Sequence, residues 1–487
     1  MTKSKRAVMP RQDTHIRIRN FDEVALGYTT EQAISEASRC YRCKKPKCTE
    51  GCPVDVDIPE FVEHVKNGNF EDAYNVLTDS LLFPRITGRV CPQETQCEGS
   101  CVAGIKEGCD ALAIGNLERF VGDWAAEKGI IPPCEIRENG KSVAIIGSGP
   151  AGITAATDLR RKGYNVTLYE ALHIPGGVLV YGIPEFRLPK TIVRNEIWKL
   201  ERMGVAIKYN TLIGATKSFE DLKEENDAIF IGTGAGLPRF LGIPGEELVG
   251  VYTANEFLAR INLMGANKFP QFSTPVDIGD RVAVVGGGNV AMDSARVALR
   301  LGAKVDLFYR RTREYMPARK VEIHHALEEG VSFRELRNPI RLIDSDGKLQ
   351  RIKYSVMKLS DELDSSGRRI PVESGRSYSS PYDTFIIAIG QRPNPLLPRK
   401  VSYLNTDERG YIVVNPATLR VDSLDDCPVF AGGDIIGNQH NGRGGTVIDA
   451  MGHGRLAARN IDRRLSGAKW KRQEIVLTAR KHQMIGS

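Results

Sequence analysis

Seven cysteines fall in two runs near the start of the chain. Cys40, Cys43, Cys48 and Cys52 read C-x2-C-x4-C-x3-C, with Pro53 directly after, and Cys91, Cys97 and Cys101 read C-x5-C-x3-C. Thiolates spaced this closely suit soft metal centres. A close run ending in Cys-Pro is the pattern of cubane iron–sulfur ligation, in which the fourth cysteine can serve the other cluster. Two [4Fe-4S] clusters take eight ligands, and these runs supply seven. Glu118 or Cys109 is the candidate for the eighth. Structural zinc is the alternative, but zinc prefers two tight Cys-x2-Cys pairs, and the run holds one, Cys40 with Cys43.

Two glycine-rich turns carry the next signal. Gly147-Ser148-Gly149-Pro150-Ala151-Gly152 is a complete G-x-G-x-x-G between an apolar run, Ser142 to Ile146, and a helical stretch to Lys162. Gly147 makes the tight turn, Gly149 lets a pyrophosphate approach, and Gly152 lets helix and strand pack. The helix N-terminus then attracts the phosphates. A second strand, Asn165 to Tyr169, ends at Glu170, 23 residues after Gly147. Its carboxylate is placed to accept from ribose hydroxyls.

The unit recurs 139 residues later, from Gly147 to Gly286. Arg281 to Val285 leads into Gly286-Gly287-Gly288-Asn289-Val290-Ala291, a G-x-G-x-x-A turn, then a helix to Leu301 and a strand from Val305 to Tyr309. Arg310 and Arg311 stand where an acid would bind a ribose 2′-hydroxyl. Guanidinium suits a 2′-phosphate, so this half should prefer NADPH to NADH. The first half selects no such phosphate and FAD carries none, so FAD is assigned to it. Gly433-Asp434, with a helix start near Thr446, is placed to cap the flavin. Hydride transfer from nicotinamide to flavin needs stacked rings and a dry site, so no side chain is assigned as a catalytic nucleophile.

The elements that position these groups are legible. Residues 1–140 read as helices punctuated by cysteine: one from Thr29-Thr30-Glu31 toward Cys40, one over Pro59 to Val65, and one with Phe70, Ala73, Tyr74 and Leu77 on a face. Ala228 to Ile231 runs to Gly232 and Gly234, and Phe385 to Ile389 runs to Gly390. Each is expected to be the last strand of a nucleotide unit. Pro428 to Ala431 precedes Gly433-Asp434 and a helix from Thr446 to Leu465. Pro132-Pro133 marks a linker. Glu322, His324, His325 and Glu328 share one predicted helix and read as a solvated face rather than a metal site. The loop Tyr181 to Arg187 either touches the flavin or simply connects domains.

Length and composition agree. A chain of 487 residues suggests roughly three domains. With 41% hydrophobic and 26% charged residues it can bury cores. No apolar run approaches the ~18–20 residues of a membrane span, and Met1 to Arg19 is basic with no secretory core. These features lead us to expect neither a membrane-spanning nor a secreted protein, and a reducing, cytoplasmic setting. No cysteine lies between Cys134 and Cys427, which argues against a reductase with its own dithiol. Of the formal +7, residues 1–50 contribute 11 Lys/Arg against 6 Asp/Glu and residues 459–483 contribute 8 against 2. Solvated ends are the simpler reading, and docking of an acidic electron carrier the other. No nucleic-acid-binding signature is present.

These residues together resemble the small subunit of NADPH-dependent glutamate synthase and its relatives. Among the relatives are the N-terminal part of dihydropyrimidine dehydrogenase and the larger subunit of NADH-dependent ferredoxin:NADP transhydrogenases. The resemblance covers essentially the whole chain. It rests on the Cys40–Cys52 run, Gly88-Arg89-Val90-Cys91-Pro92, Ile114 to Phe120, Tyr181 to Arg187, Arg310-Arg311 with Met316-Pro317-Ala318, and Ala431 to Asp434.

The resemblance implies an α/β protein in which two Rossmann-like domains, the NADPH domain inserted in the FAD domain, follow a helical iron–sulfur domain. The partition it implies is 1–136 for two [4Fe-4S] clusters, 137–250 with 385–470 for FAD, 251–384 for NADP(H), and 471–487 as a basic tail. One cluster would use Cys40, Cys43, Cys48 and Cys101. The other would use Cys52, Cys91 and Cys97 with Glu118, leaving Cys109 a bystander. FAD contacts would include the first turn, Glu170, Gly177, Arg187 and Gly433-Asp434. NADP(H) contacts would include Gly288 to Ala291, Arg310 and Arg311. Glutamate synthase also needs a glutaminase nucleophile and an FMN site, neither of which is found here. The chain would thus deliver electrons to a second redox subunit, either a glutamate synthase large subunit or, in a bifurcating transhydrogenase, a smaller flavin or iron–sulfur subunit with ferredoxin as substrate. Met9 to Asp13, Asn20 to Val24 and Leu26 to Tyr28 look closer to anaerobe-type members, where both roles occur. A zinc-stabilised scaffold without turnover is the competing class.

Overall fold

The computed structural model describes residues 5–105, 109–131, 136–421, 426–440 and 444–467. The expected linker prolines Pro132 and Pro133 and the expected tail 471–487 lie outside the described residues.

The N-terminal part is helical. Thr30–Ala37 opens with a capping box in which the Thr29 hydroxyl accepts from the Gln32 N–H. Ile58–Lys66 buries Phe61, Val62 and Val65, and Phe70–Ser80 buries Ala73, Tyr74 and Leu77. These apolar positions recur every three or four residues, so each helix presents one stripe to the core. The core is shared with Ile114–Glu127 and runs without a break into the following α/β unit.

That unit is a five-stranded parallel sheet ordered Val429–Ala431, Ala228–Ile231, Ser142–Ile146, Asn165–Tyr169, Ala206–Lys208. Its central strands are apolar on both faces because helices cover both. Val143, Ala144 and Ile145 are fully buried, as are Ile229 and Phe230. Burying Phe230 alone is worth about 2–3 kcal/mol. The sequence of Ala228 to Ile231 reads as a closing strand, but Val429–Ala431 returns from far along the chain and takes the edge beyond it.

Between those two strands the chain builds a second parallel sheet, ordered Val251–Thr253, Thr384–Ile387, Arg281–Val285, Lys304–Tyr309, Ser332–Glu335. An antiparallel three-stranded sheet, Arg337–Ser345, Lys348–Leu363 and Arg369–Pro381, shares a core cluster with it, in which Leu342 and Ile352 join Val285, Phe308 and Phe385. The two connections between the units pair as a short ribbon, Leu237–Pro238 with Gln391–Arg392. The architecture is therefore α/β, with one nucleotide-type unit inserted in another behind a helical domain. No helix among the described residues is long and apolar enough to cross a membrane.

Candidate functional site

The first glycine turn is closed by contacts that only glycine permits. Gly147 has φ +98, and a Cβ on Gly152 would lie 1.9 Å from the Gly147 carbonyl oxygen. Gly177 approaches from the side, where its Cβ would lie 2.9 Å from the Gly149 Cα. Pro150 and Ala151 begin the helix Pro150–Arg161, whose N-terminal N–H groups face the turn. Glu170 is buried beside it. One carboxylate oxygen accepts from the Ser148 N–H at 3.1 Å and from the Ser148 hydroxyl, and the other accepts from the Leu172 N–H at 2.8 Å.

Gly433 and Asp434 come to the same place from the far end of the chain. The Asp434 carboxylate accepts from the Gly445 N–H at 3.2 Å, and burial raises its pKa. Thr446 caps the helix Val447–Leu465, accepting from the Asp449 N–H at 3.2 Å. Tyr181 lies close enough to feel both Asp434 and Glu170, and burial pushes its phenol up to about 12. Gly234 follows the strand Ala228–Ile231, and Gly390 follows Thr384–Ile387, where its carbonyl accepts from the Arg239 N–H at 3.1 Å.

The second turn repeats the construction. A Cβ on Gly286 would lie 2.2 Å from the Ala388 carbonyl oxygen, while Gly288 faces open space at the start of the helix Asn289–Arg300. Ala291 is buried and Val290 exposed. Of the two arginines after the strand, Arg310 is exposed. Arg311 is not: it is 4% exposed, donating to Asp364 at 2.7 Å and to the Arg369 carbonyl at 2.9 Å. The expected pair is thus split, because the inserted antiparallel sheet brings a carboxylate to Arg311.

Arg187, expected as a flavin contact, also meets the second unit. Its guanidinium is ion-paired with Asp293 at 2.7 Å and Glu322 at 3.2 Å, both in the second unit. The end of the Tyr181–Arg187 loop thus reaches the second unit. Its neighbour Phe186 lies between Arg296 and Arg300, whose guanidinium carbons sit 4.6 and 4.0 Å from the ring centroid.

This network also corrects the reading of the helix Lys320–Glu328. Glu322 and His325 are buried, and Glu329 just beyond it binds Arg296 and Arg300 at 2.8 and 2.7 Å. His324 alone fits the solvated reading, paired with Glu328 at 3.0 Å. A conspicuous row of charges proved to be a buried face because arginines on Asn289–Arg300 match it. The N-terminus departs in the same way. Arg17 is 1% exposed and binds Glu328 and Glu329, each at 2.8 Å.

The cysteines separate into two sets. Cys48 is pushed up to about 12 by burial and then by Cys101, Cys40 and Cys43. These four line one cleft with Tyr41 and Ile114. Cys91 and Cys97 are raised well above the ordinary thiol value, and Cys52 to about 11, again by burial, and each feels Glu118. Glu118 itself is pushed up to about 8 by burial, opposed by a hydrogen bond from Thr87. Buried donors held protonated in this way are what a cationic centre deprotonates and ligates. Among the described residues, no three Cys, His, Asp or Glu groups converge tightly enough for a single metal ion. A cubane spreads its ligands over a larger cage and suits the two sets better.

The second set lies against the nucleotide units. A Cβ on Gly452 of the helix Val447–Leu465 would lie 3.0 Å from the Pro53 carbonyl oxygen, and the Cys91 thiol feels Asp449 of the same helix. Sequence reasoning missed Ser148, Asp293 and Arg319. Ser148 occupies a variable position of the turn, and the other two are ordinary charges until the domains are assembled.

Comparison with known proteins agrees with this construction. Residues 17–130 match the family described as dihydropyrimidine dehydrogenase domain II, 4Fe-4S cluster, and residues 141–454 match pyridine nucleotide-disulphide oxidoreductase. The glutamate synthase [NADPH] small chain of Escherichia coli is 33% identical over 458 residues, covering 93% of this chain and 95% of that one. The NADP(+)-dependent formate dehydrogenase subunit beta of Moorella thermoacetica is 37% identical over 448 residues, covering 86% of this chain, which spans 60% of that subunit. FprA of Mycobacterium tuberculosis, solved in complex with NADPH, shares the fold at 20% identity and a TM-score of 0.54, over 72% of this chain and 90% of that one. With the helical domain and both nucleotide units matched in order, the chain belongs to the family of glutamate synthase [NADPH] small chains, NADPH-dependent flavin oxidoreductases on the pyridine nucleotide-disulphide oxidoreductase fold.

Proposed function

We propose that this chain exchanges hydride between NADP(H) and FAD and passes electrons through two [4Fe-4S] clusters to a partner subunit, as the electron-input half of a glutamate synthase. The observation that carries the reading is the division of donors into Cys40, Cys43, Cys48, Cys101 and Cys52, Cys91, Cys97, Glu118, with the second set packed against the helix that Thr446 caps. Bound in these sites, FAD would accept one hydride, carrying two electrons, from NADPH, and the clusters would carry those electrons singly.

The protein's part is to bind and orient. The first turn and the N-terminus of Pro150–Arg161 would hold the flavin pyrophosphate, and Glu170 would exchange its bond from Ser148 for one from the ribose. Asp434 and Gly433 would close the flavin's other side. The second turn with Gly288, Asn289, Val290 and Ala291 would hold the nicotinamide nucleotide, with Arg310 as the exposed cation for its 2′-phosphate. Glu118 would be the non-cysteine ligand, held in line by Thr87.

Anaerobic purification of the native complex with mass spectrometry of its components tests the assignment. A large glutaminase-type subunit with an FMN site supports it. A small flavin or ferredoxin-reductase-like subunit instead makes the chain the NADP(H) side of a bifurcating transhydrogenase. A chain that binds zinc and shows no visible cluster absorption removes both.

A further inference from the structure

Arg319 stands between the second glycine turn and the cluster domain. It follows Met316-Pro317-Ala318 and precedes the helix Lys320–Glu328. On one side the backbone is tied to the turn: the Ala318 N–H donates to the Gly287 carbonyl at 3.1 Å, and the Arg319 N–H donates to Asn289 Oδ1 at 2.9 Å. On the other side the guanidinium crosses to the cluster domain. Nε donates to both Glu94 carboxylate oxygens at 3.1 and 3.2 Å, Nη1 to the Arg89 carbonyl at 3.2 Å, and Nη2 to Gln93 Oε1 at 2.7 Å.

The path continues inward. Gln93 Nε2 donates to the Thr87 and Gly88 carbonyls at 3.2 and 3.3 Å, and the Thr87 hydroxyl donates to Glu118. Gln93 packs closely against Gly115, where a Cβ would lie 2.3 Å from its Nε2. The Arg319 charge also reaches Cys91, where it opposes the rise that burial imposes on the thiol. One planar fork with several donors thus spans Glu94, Gln93 and Arg89, a geometry that a point charge on a flexible stem does not reproduce.

We propose that Arg319 is a positioning residue that couples nucleotide occupancy of the second turn to the reduction potential of the cluster held by Cys52, Cys91, Cys97 and Glu118. The inference rests on the cluster assignment proposed above. A fixed cation beside a cluster favours its more negative, reduced state and so raises its potential. A nucleotide seated on the turn moves the Asn289–Arg319 contact, and the guanidinium and Gln93 carry that movement to Thr87 and Glu118. By linkage, the factor by which NADP+ shifts the cluster's redox equilibrium equals the factor by which reduction shifts the affinity for NADP+.

The test is an anaerobic redox titration of the holoenzyme followed by electron paramagnetic resonance, with and without saturating NADP+. In the native protein NADP+ is expected to shift the midpoint of one cluster. Arg319→Gln is expected to lower that cluster's midpoint, leave the other cluster in place, and abolish the NADP+-dependent shift. Should Arg319→Gln lose the cluster, Arg319→Lys decides: it is expected to hold the midpoint near the native value while losing most of the shift. A native protein without the shift, or variants with native midpoints and an intact shift, would overturn the coupling. Failure of the native holoenzyme to show two cluster signals would instead sink the cluster assignment itself.

Discussion

Arg187 donates to Asp293 at 2.7 Å across the junction between the two nucleotide units, with both side chains nearly inaccessible to water. Arg187 belongs to the loop after the first unit's second strand, and Asp293 to the helix that opens with the second turn. Asp293→Asn removes one of the two carboxylates that hold the buried Arg187 guanidinium, leaving Glu322, and is expected to cost about 1.5–3 kcal/mol, read as a lower urea midpoint. Replacing both members with apolar residues of similar volume should cost less than either single change. A double variant as unstable as the sum of the singles would show that the pair is not coupled.

The network around that pair sets an acid limit. Burial holds His325 at about 4, whereas an unfolded histidine titrates near 6.5. Between those values the unfolded chain binds a proton that the folded chain refuses, so stability falls as the pH drops from 6.5 toward 4, by up to about 3 kcal/mol. Burial raises Glu322 and Glu329, but neighbouring arginines outweigh it and hold both at about 2, so further stability is lost below about pH 4.5. His325→Asn should flatten the upper part of this profile in thermal unfolding between pH 7 and 5.

The arginines after the second unit's strand should contribute unequally. Arg310→Ala is expected to weaken NADPH by about 10–100-fold, as loss of a charged hydrogen bond of about 1.5–3 kcal/mol implies, while leaving NADH little changed. Arg311→Ala should cost less in nucleotide selectivity and more in stability, because Arg311 is bound to Asp364. Kd values for NADPH and NADH decide this, and equal losses for the two nucleotides would remove Arg310 from the 2′-phosphate.

Cys97→Ala removes one donor from the set that includes Cys91 and Cys52. The variant should keep its flavin and lose about half of its iron, the remaining cluster being ligated by the other set. Iron and flavin analysis of the anaerobically purified protein checks this, and unchanged iron would show the ligand set to be wrong.

Gly152→Ala places a methyl group 1.9 Å from the carbonyl oxygen of Gly147, whose N–H is tied to the Tyr169 carbonyl of the next strand at 2.8 Å. The helix must move off the first turn. The expected result is a chain that retains no flavin, measured by absorbance after purification. The same change at Gly288, where no protein atom lies within 4 Å, should leave the flavin in place and weaken NADP(H) binding instead.

The sequence by itself determined the local parts that carry the cofactor motifs. Strands such as Ser142–Ile146 and Arg281–Val285 are short apolar runs, and the turns after them are written in glycines whose roles are local. Cysteine spacing likewise announces a metal-binding domain, because neighbouring ligands along the chain are neighbours in space. What the tertiary structure alone decided is which charges meet. Arg187, Arg311 and Arg17 resemble any solvated arginine in the sequence, yet each is buried against an acid more than 50 residues away. Local pattern cannot encode such partners. A guanidinium's cost of burial is met only when two separately folded elements bring a carboxylate to it, and that condition exists only in the assembled molecule.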